Sequence, residues 1–122
     1  MAHNPGFLKL VNEAKARVQE IDIEGYKQLR EAGEAHVLVD TREESEWAAG
    51  HVAGAVHLSK GIIERDIETK VPEKDTRLVL YCGGGFRSAL VADNLRQMGY
   101  TNAISLDGGW HALKESGLEL EK

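Results

Sequence analysis

The first eighteen residues carry a helical pattern of apolar positions. Phe7, Val11, Ala14 and Val18 are spaced by four, three and four residues, which places them on one face of a helix. We therefore predict an N-terminal helical extension over residues 1–18. Its apolar face needs a surface to cover it, which is either the rest of the chain, as we expect, or a second copy.

Beyond residue 18, short apolar runs alternate with helical segments. The runs 36–40 (HVLVD) and 77–81 (RLVLY) have consecutive apolar residues, typical of parallel strands covered on both faces. Further strands are predicted at 19–21, 55–58 and 103–106, and helices at 24–31, 42–49, 61–70, 88–98 and 108–114. Because strands separated by helices need crossover connections, residues 19–122 are predicted to form one α/β domain. Its central sheet should be mainly parallel, with helices on both faces.

Two polar positions are predicted to begin helices. Thr41 and Glu44 have the spacing of a capping box, so a helix is expected from about residue 42 until Gly50 ends it. Asp107 is expected to cap the last helix in the same way, with its side chain accepting from a free amide.

Composition limits the classes of function. The chain of 122 residues is long enough for one ordinary core, and its net charge of −5 argues against nucleic acid or an anionic membrane as a partner. It has no apolar stretch of about eighteen residues and no secretory leader pattern, so we expect a cytoplasmic protein. We expect no metal and no cofactor, because neither a metal-binding Cys/His spacing nor a nucleotide-binding glycine fingerprint is present.

The single cysteine, Cys82, lies in a stretch of unusual composition, YCGGGFRS. It follows a predicted strand and precedes a predicted helix, and ligands of open α/β sheets bind at this end of the strands. Free amides of residues 83–88 and the helix dipole both favour a thiolate over a thiol. The glycines allow the loop to turn these amides inward. The pattern indicates a nucleophilic cysteine rather than a structural one.

Three ordered blocks of the chain resemble the rhodanese, or thiosulfate sulfurtransferase, family. Residues 39–58, VDTREESEWAAGHVAGAVHL, resemble its first block. Residues 81–88, YCGGGFRS, resemble its active-site loop with the catalytic cysteine, and residues 106–113, LDGGWHAL, resemble its terminal block. The resemblance extends from about residue 21 to residue 117 and implies a single rhodanese-like domain.

The resemblance also implies a role for each matching residue. Cys82 is expected to be the catalytic nucleophile, and the loop that binds the substrate is expected to consist of Gly83, Gly84, Gly85, Phe86, Arg87 and Ser88. Asp40, Arg42 and His51 are expected to be structural supports rather than reacting groups. Arg87 either attracts an anionic donor or pairs with a carboxylate to hold the loop, and Ser88 either donates its hydroxyl or caps the helix.

Two features of the loop affect the expected substrate. Gly83 stands where many thiosulfate-active members of the family carry a basic residue, so thiosulfate is a weaker candidate for the donor. Cys82 and Arg87 have the C-x4-R spacing of the sulfurtransferases, whereas related phosphatases and arsenate reductases use C-x5-R around a tetrahedral oxyanion. The shorter loop has room for the outer sulfur of a persulfide and fits phosphate badly.

The function implied by the resemblance is sulfur transfer through a persulfide on Cys82. The expected partners are a small anionic sulfur donor such as thiosulfate and an acceptor, which is cyanide, a small thiol or a protein thiol. One alternative is a non-catalytic or persulfide-relay module that binds partner proteins. A phosphatase or an arsenate reductase agrees less well with the loop length.

Overall fold

The computed structural model describes residues 3–122. The strands are β1 (Gln19–Ile21), β2 (Val37–Asp40), β3 (His51–Val52), β4 (Val56–His57), β5 (Leu78–Tyr81), β6 (Ala103–Leu106) and β7 (Leu120–Glu121). The helices are α1 (Pro5–Lys15), α2 (Ile23–Glu31), α3 (Glu44–Ala49), α4 (Ile63–Lys70), α5 (Phe86–Gln97) and α6 (Gly109–Leu113). Within residues 3–122, none of these helices has the length and apolar composition needed to span a membrane.

The central sheet has five strands in the order β1-β6-β5-β2-β4, and every neighbouring pair is parallel. Both of its faces are covered. In β5, Leu78 and Leu80 point into a core shared with α4 and α5, while Val79 and Tyr81 point into a second core shared with α2 and α6. All four side chains are fully buried, which is why this strand is apolar at consecutive positions. The predicted α/β class and parallel sheet are confirmed.

Parallel pairing brings the carboxyl ends of three central strands to one edge of the sheet. Asp40 at the end of β2 is in register with Tyr81 at the end of β5, and Leu80 is in register with Ser105 of β6. Residues that follow these strands therefore meet in space although they are far apart in the chain. Cys82 is one of them.

The N-terminal helix α1 packs on α5 of the same chain. Val11 and Ala14 of its apolar face are buried, and Arg17 just beyond the helix pairs with Asp93 of α5 at 2.7 Å. The expected packing on the rest of the chain is confirmed. The helix ends at Lys15 rather than continuing to residue 18, because the chain then turns to enter β1.

The beginning of α3 differs from the prediction. Its N-cap is Glu43, whose amide donates to the Glu46 carboxylate at 3.0 Å, so the capping box assigned to Thr41 and Glu44 is wrong. Thr41 instead donates its hydroxyl to the carbonyl oxygen of Tyr81 at 2.9 Å. Thr41 thus links the end of β2 to the end of β5. Its hydroxyl makes this contact between strands instead of the expected contact with an amide at the start of α3.

Two further helices begin at glycines. The N-cap of α5 is Gly85, so the helix starts at Phe86 rather than at residue 88. The N-cap of α6 is Gly108, and the prediction that Asp107 caps this helix is wrong. Gly108 and Gly109 have φ angles of +87° and +48°, so this turn uses left-handed backbone that glycine adopts at little cost.

Sequence analysis did not predict the antiparallel pairing of β3 with β7. His51 is in register with Glu121, and Val52 with Leu120. Strands of two residues carry no alternation that a sequence pattern can reveal. This pairing places residues 120–121 beside residues 51–52, which belong to the first block of the resemblance.

Candidate active site

Cys82 lies directly after β5, at the carboxyl edge of the sheet, and its side chain is only 1% exposed. The chain turns through residues 83–85 and enters α5 at Phe86. The thiol therefore lies between a strand end and a helix N-terminus, where the sequence placed it. The N-terminus of the 12-residue helix α5, where the helix dipole is positive, lies beside the sulfur, since the amide of Ser88 in its first turn is 3.4 Å from Sγ.

Two backbone amides donate hydrogen bonds to the Cys82 sulfur. The Gly85 nitrogen lies 3.2 Å and the Ser88 nitrogen 3.4 Å from Sγ. The Ser88 hydroxyl oxygen lies 3.6 Å from Sγ and 2.8 Å from the hydroxyl oxygen of Ser105. The sulfur therefore accepts hydrogen bonds from both the loop and the first turn of α5. Since Gly85 is the N-cap, the alternative that Ser88 caps the helix is wrong.

The carbonyl groups of the loop are bound by the start of α6. The Trp110 amide donates to the carbonyl oxygen of Cys82 at 2.7 Å, and the His111 amide donates to that of Gly83 at 3.1 Å. These bonds turn the carbonyls away from the sulfur and leave the amide side of the loop facing it. The terminal block of the resemblance therefore holds the loop through its backbone amides.

Two glycines allow this close approach. Gly85 has a φ angle of +98°, and a Cβ atom there would lie 3.3 Å from the backbone of Asp107. A Cβ atom on Gly109 would collide with the carbonyl oxygen of Cys82. A side chain at Gly109 would push the loop and α6 apart, whereas one at Gly85 would be tightly packed against the segment before α6 and would need left-handed backbone.

Arg87 pairs with Glu46 of α3 beside the loop. Its two terminal nitrogens lie 3.4 and 3.5 Å from the carboxylate oxygens. Burial disfavours the charge on Arg87, but the hydrogen bonds and attraction of Glu46 outweigh it and raise the pKa of Arg87. Burial also opposes the Glu46 carboxylate, yet the Glu43 amide and Arg87 lower the pKa of Glu46. This geometry corresponds to the carboxylate-pairing alternative for Arg87.

Asp40 and Arg42 form a buried ion pair behind the loop. Arg42 Nη2 lies 2.8 Å from Asp40 Oδ2 and 2.7 Å from the Gly50 carbonyl oxygen, and the guanidinium lies 4.4 Å from the Trp110 ring. Burial opposes the charge on Arg42, but Asp40 more than compensates and raises the pKa of Arg42. Because Trp110 also binds the Cys82 carbonyl, this pair supports the segment that holds the loop.

His51 is the first residue of β3, directly after α3 and Gly50. Its Nδ1 is 2.9 Å from the Trp47 carbonyl oxygen, its ring stacks on the Trp47 ring at 3.4 Å, and its Nε2 is 3.3 Å from Glu121. These contacts link His51 to the backbone of α3 and to the Glu121 side chain of β7, and the role of His51 as a structural support stays a prediction.

A cavity of about 530 Å³ opens beside the thiol. Five of its lining residues belong to the predicted loop, namely Cys82, Gly83, Gly84, Phe86 and Arg87. Four others come from distant segments and were not predicted, namely His3, Phe7, Glu46 and His111. Of these four, Phe7 was identified in the sequence only as part of the apolar face of the N-terminal helix, and not as a residue of the site. A more open depression of about 600 Å³, lined in part by Glu34 and Arg77, lies at the opposite end of the strands, away from the thiol.

Comparison with known proteins identifies the family. A family model described as "Rhodanese-like domain" matches residues 22–116. The chain belongs to the rhodanese-like domain family. The resemblance seen in the three sequence blocks is thereby confirmed.

Curated relatives of this rhodanese-like chain include proteins named as sulfurtransferases. A "Sulfurtransferase" from Allochromatium vinosum is 35% identical over 103 residues, which cover 84% of the chain and 94% of the relative. "Thiosulfate sulfurtransferase GlpE" from Pseudomonas entomophila is 36% identical over 77 residues, 63% of the chain and 69% of the relative. The chain spans only 27% of the length of "Rhodanese-like domain-containing protein 8, chloroplastic" from Arabidopsis thaliana, at 29% identity over 120 residues.

Among solved structures, a protein of unknown function from Rhodopseudomonas palustris CGA009 superposes with a TM-score of 0.84 at 26% identity. The superposition covers 99% of the chain and 98% of that protein, which is described as a possible tyrosine phosphatase. Since this coverage includes α1, the N-terminal helix is part of the shared architecture.

Proposed function

We propose that the protein is a sulfurtransferase that moves a sulfane sulfur from a donor to a thiophilic acceptor through a persulfide on Cys82. The observation that carries this proposal is the pair of hydrogen bonds from the Gly85 and Ser88 amides to the Cys82 sulfur, at 3.2 and 3.4 Å. Such donors, at the N-terminus of α5, favour a thiolate that needs no general base.

The first step is attack of the Cys82 thiolate on the outer sulfur of a donor such as thiosulfate. A new sulfur–sulfur bond forms to Cys82, the bond between the two donor sulfurs breaks, and its electron pair leaves with sulfite. In the second step cyanide or a thiolate attacks the outer sulfur of the persulfide and releases the Cys82 thiolate. Two-step covalent transfer of this kind gives ping-pong kinetics.

The loop contributes by holding charge rather than by moving protons. The inward amides and the Ser88 hydroxyl stabilise the charge on the sulfurs, as oxyanion-hole donors do for oxygen. Gly83 and Gly84 leave the floor open, Phe86 forms part of the wall, and Arg87 braces the loop through Glu46. Asp40, Arg42 and His51 act as supports, through their buried contacts. Since the thiolate must stay reduced, the cytoplasm is the proposed compartment.

Phosphatase activity is the second candidate, because the structural neighbour from Rhodopseudomonas palustris is described as a possible tyrosine phosphatase. Two observations favour sulfur transfer over it. The loop has the shorter Cys82-to-Arg87 spacing, and the Arg87 guanidinium is engaged by Glu46. Hydrolysis of an aryl phosphate that is lost in Cys82→Ser would favour the phosphatase.

The proposal is tested by incubating the protein with thiosulfate or another sulfane-sulfur donor and measuring the mass of the peptide that contains Cys82. We expect a gain of one sulfur atom that cyanide or a small thiol removes, and no gain in Cys82→Ser. Absence of the gain with every donor would contradict the proposal. A gain that persists with cyanide and small thiols, and is discharged only by a protein thiol, would indicate a persulfide relay.

A further inference from the structure

The N-terminal helix reaches the active site although it lies outside the residues matched by the family model. Phe7 and His3 line the cavity beside Cys82. Their rings contact Phe86 of the catalytic loop, with centroid distances of 4.5 Å for His3 and 6.3 Å for Phe7, and lie 5.4 Å from each other. These three rings, which we call the aromatic wall, form one side of the cavity.

The position of the wall is fixed by the packing of α1. Val11 and Ala14, one and two turns after Phe7, are buried against α5. At the end of the helix, Arg17 Nη2 and Nε lie 2.7 and 3.1 Å from the Asp93 carboxylate. A helix held along its length presents Phe7 to the cavity in a defined place, so its ring is available as a preformed contact for a ligand.

Two cationic side chains beside the cavity, those of Arg87 and Lys15, are paired with carboxylates, which weakens their attraction for a small dianion. Arg87 is paired with Glu46, and position 83 carries no side chain. Lys15, whose Nζ lies 5.4 Å from the Phe86 ring centroid, is paired with Glu20 at 3.2 Å and Asp107 at 3.7 Å. Thiosulfate gains its binding energy from charge, so these pairings weaken its attraction to the site.

The size of the cavity also exceeds what thiosulfate needs. Its volume of about 530 Å³ lies within the range of roughly 300–1,000 Å³ that is usual for organic ligands. Aromatic side chains that line such a cavity gain free energy when an apolar group covers them. Charge and size therefore favour the same ligand, one with a sulfur at one end and an apolar carbon group at the other.

We infer that Phe7 is a specificity-determining residue that selects sulfane-sulfur donors with an apolar carbon substituent over inorganic thiosulfate. This inference rests on the proposed sulfur transfer. With a thiosulfonate, R–SO2–S⁻, the Cys82 thiolate attacks the terminal sulfur and the bond between the donor sulfurs breaks. The electron pair leaves with the sulfinate R–SO2⁻, and the total charge is unchanged.

The test compares benzenethiosulfonate with methanethiosulfonate, which share the reacting group and differ in the carbon substituent. In the unmodified protein, kcat/KM is expected to be at least roughly tenfold higher for benzenethiosulfonate, since added apolar contact in a pocket discriminates by this order. Phe7→Ala is expected to lower this ratio roughly three- to tenfold, which is the size of an aromatic contact. Intrinsic reactivity cancels when ratios are compared between variants.

Leu10→Ala is the matched control, because Leu10 lies on the same helix and is 58% exposed. Leu10→Ala is expected to have the same ratio of kcat/KM for benzenethiosulfonate to kcat/KM for methanethiosulfonate as the unmodified protein.

The results separate this inference from the proposal on which it rests. If neither thiosulfonate nor thiosulfate adds sulfur to Cys82, sulfur transfer itself is wrong. If persulfide forms but the ratio is near one, or is the same in Phe7→Ala and Leu10→Ala, sulfur transfer stands and the role of Phe7 is wrong.

Discussion

The amide of Trp110 donates a 2.7 Å hydrogen bond to the carbonyl oxygen of Cys82, although the two residues lie in different blocks of the sequence. This bond and its neighbour from His111 to Gly83 orient the peptide groups of the loop that follows Cys82. With the carbonyls held by α6, the Gly85 and Ser88 amides face the sulfur. Placement of the thiol therefore depends on backbone amides of α6, a helix far from Cys82 in the chain.

Gly109→Ala is predicted to disrupt the hydrogen bonds by which α6 holds the loop carbonyls. Its φ angle is +48°, and the new Cβ atom would collide with the Cys82 carbonyl oxygen. Displacing the loop is expected to reduce the rate of persulfide formation on the order of a hundredfold, because small misplacements of reacting groups have effects of this size. The measurement is the rate at which sulfur is added to Cys82 from excess donor.

Gly33→Ala is the matched control for Gly109→Ala. Its φ angle is +69°, and a Cβ atom there meets open space. We expect it to lose about 1–2 kcal/mol of stability from the left-handed backbone and to keep the rate of sulfur transfer. Equal rates for the two variants would show that the contact between Gly109 and Cys82 has no part in placing the loop.

Ser105 is predicted to act on the site through Ser88. Their hydroxyl oxygens are 2.8 Å apart, and that of Ser88 is 3.6 Å from the Cys82 sulfur. Ser88→Ala is expected to slow persulfide formation about tenfold, somewhat less than loss of a shorter oxyanion-hole donor. Ser105→Ala should slow it less, since the Ser88 hydroxyl remains but is no longer oriented.

The double variant decides whether the two serines act as one unit. If Ser105 works only through Ser88, Ser88→Ala/Ser105→Ala should be no slower than Ser88→Ala alone in the same assay. If the double variant is slower by the product of the two single effects, Ser105 influences the loop independently of Ser88.

Asp40→Asn is predicted to lower stability strongly, because it leaves the Arg42 charge buried without its carboxylate. The two side chains are 0% and 3% exposed, and removal of one partner from such a pair costs about 3–5 kcal/mol. Urea unfolding measures the loss. Asp66→Asn, which breaks the exposed pair with Arg65, is the control and should change the free energy of unfolding far less. Similar losses in both would contradict the assignment of Asp40 as a buried support.

Asp93 is predicted to make stability depend on acid pH. A hydrogen bond from Arg17, opposed by burial and reinforced by Arg96, lowers the pKa of Asp93 below its ordinary value of 3.8. A lowered pKa means that this carboxylate contributes stability above the unfolded value, and the contribution disappears as the pH falls through the folded value.

Asp93→Asn should therefore be less stable than the unmodified protein near neutral pH, and its stability should fall less steeply between about pH 5 and pH 2. Urea unfolding at a series of pH values measures both effects. Parallel profiles for the two proteins would show that Asp93 has the same proton affinity in the folded and unfolded chains.

Most of the fold was predictable because it follows from local patterns. Consecutive apolar residues identified β2 and β5, and the spacing of Val11 and Ala14 identified α1 and its buried face. The helix starts were less predictable. Thr41 is a residue type that often caps helices, but its hydroxyl donates to the Tyr81 carbonyl oxygen. At α6 the N-cap is Gly108, and not Asp107 as expected. Polar side chains near strand ends have partners on neighbouring strands that compete with local capping.

The features of the candidate site also fall into two groups, those that the sequence predicted and those that only the tertiary structure revealed. The thiol, the glycines that follow it and the helix after them are adjacent in the chain, so the sequence alone predicted a nucleophile at Cys82 and its place between a strand and a helix. The tertiary structure decided that α6 holds the loop carbonyls, that Glu46 occupies Arg87, and that Phe7 forms a wall of the cavity. Each of these is a contact between segments far apart in the chain, brought together by parallel strand order and helix packing, and no local pattern of residues encodes it.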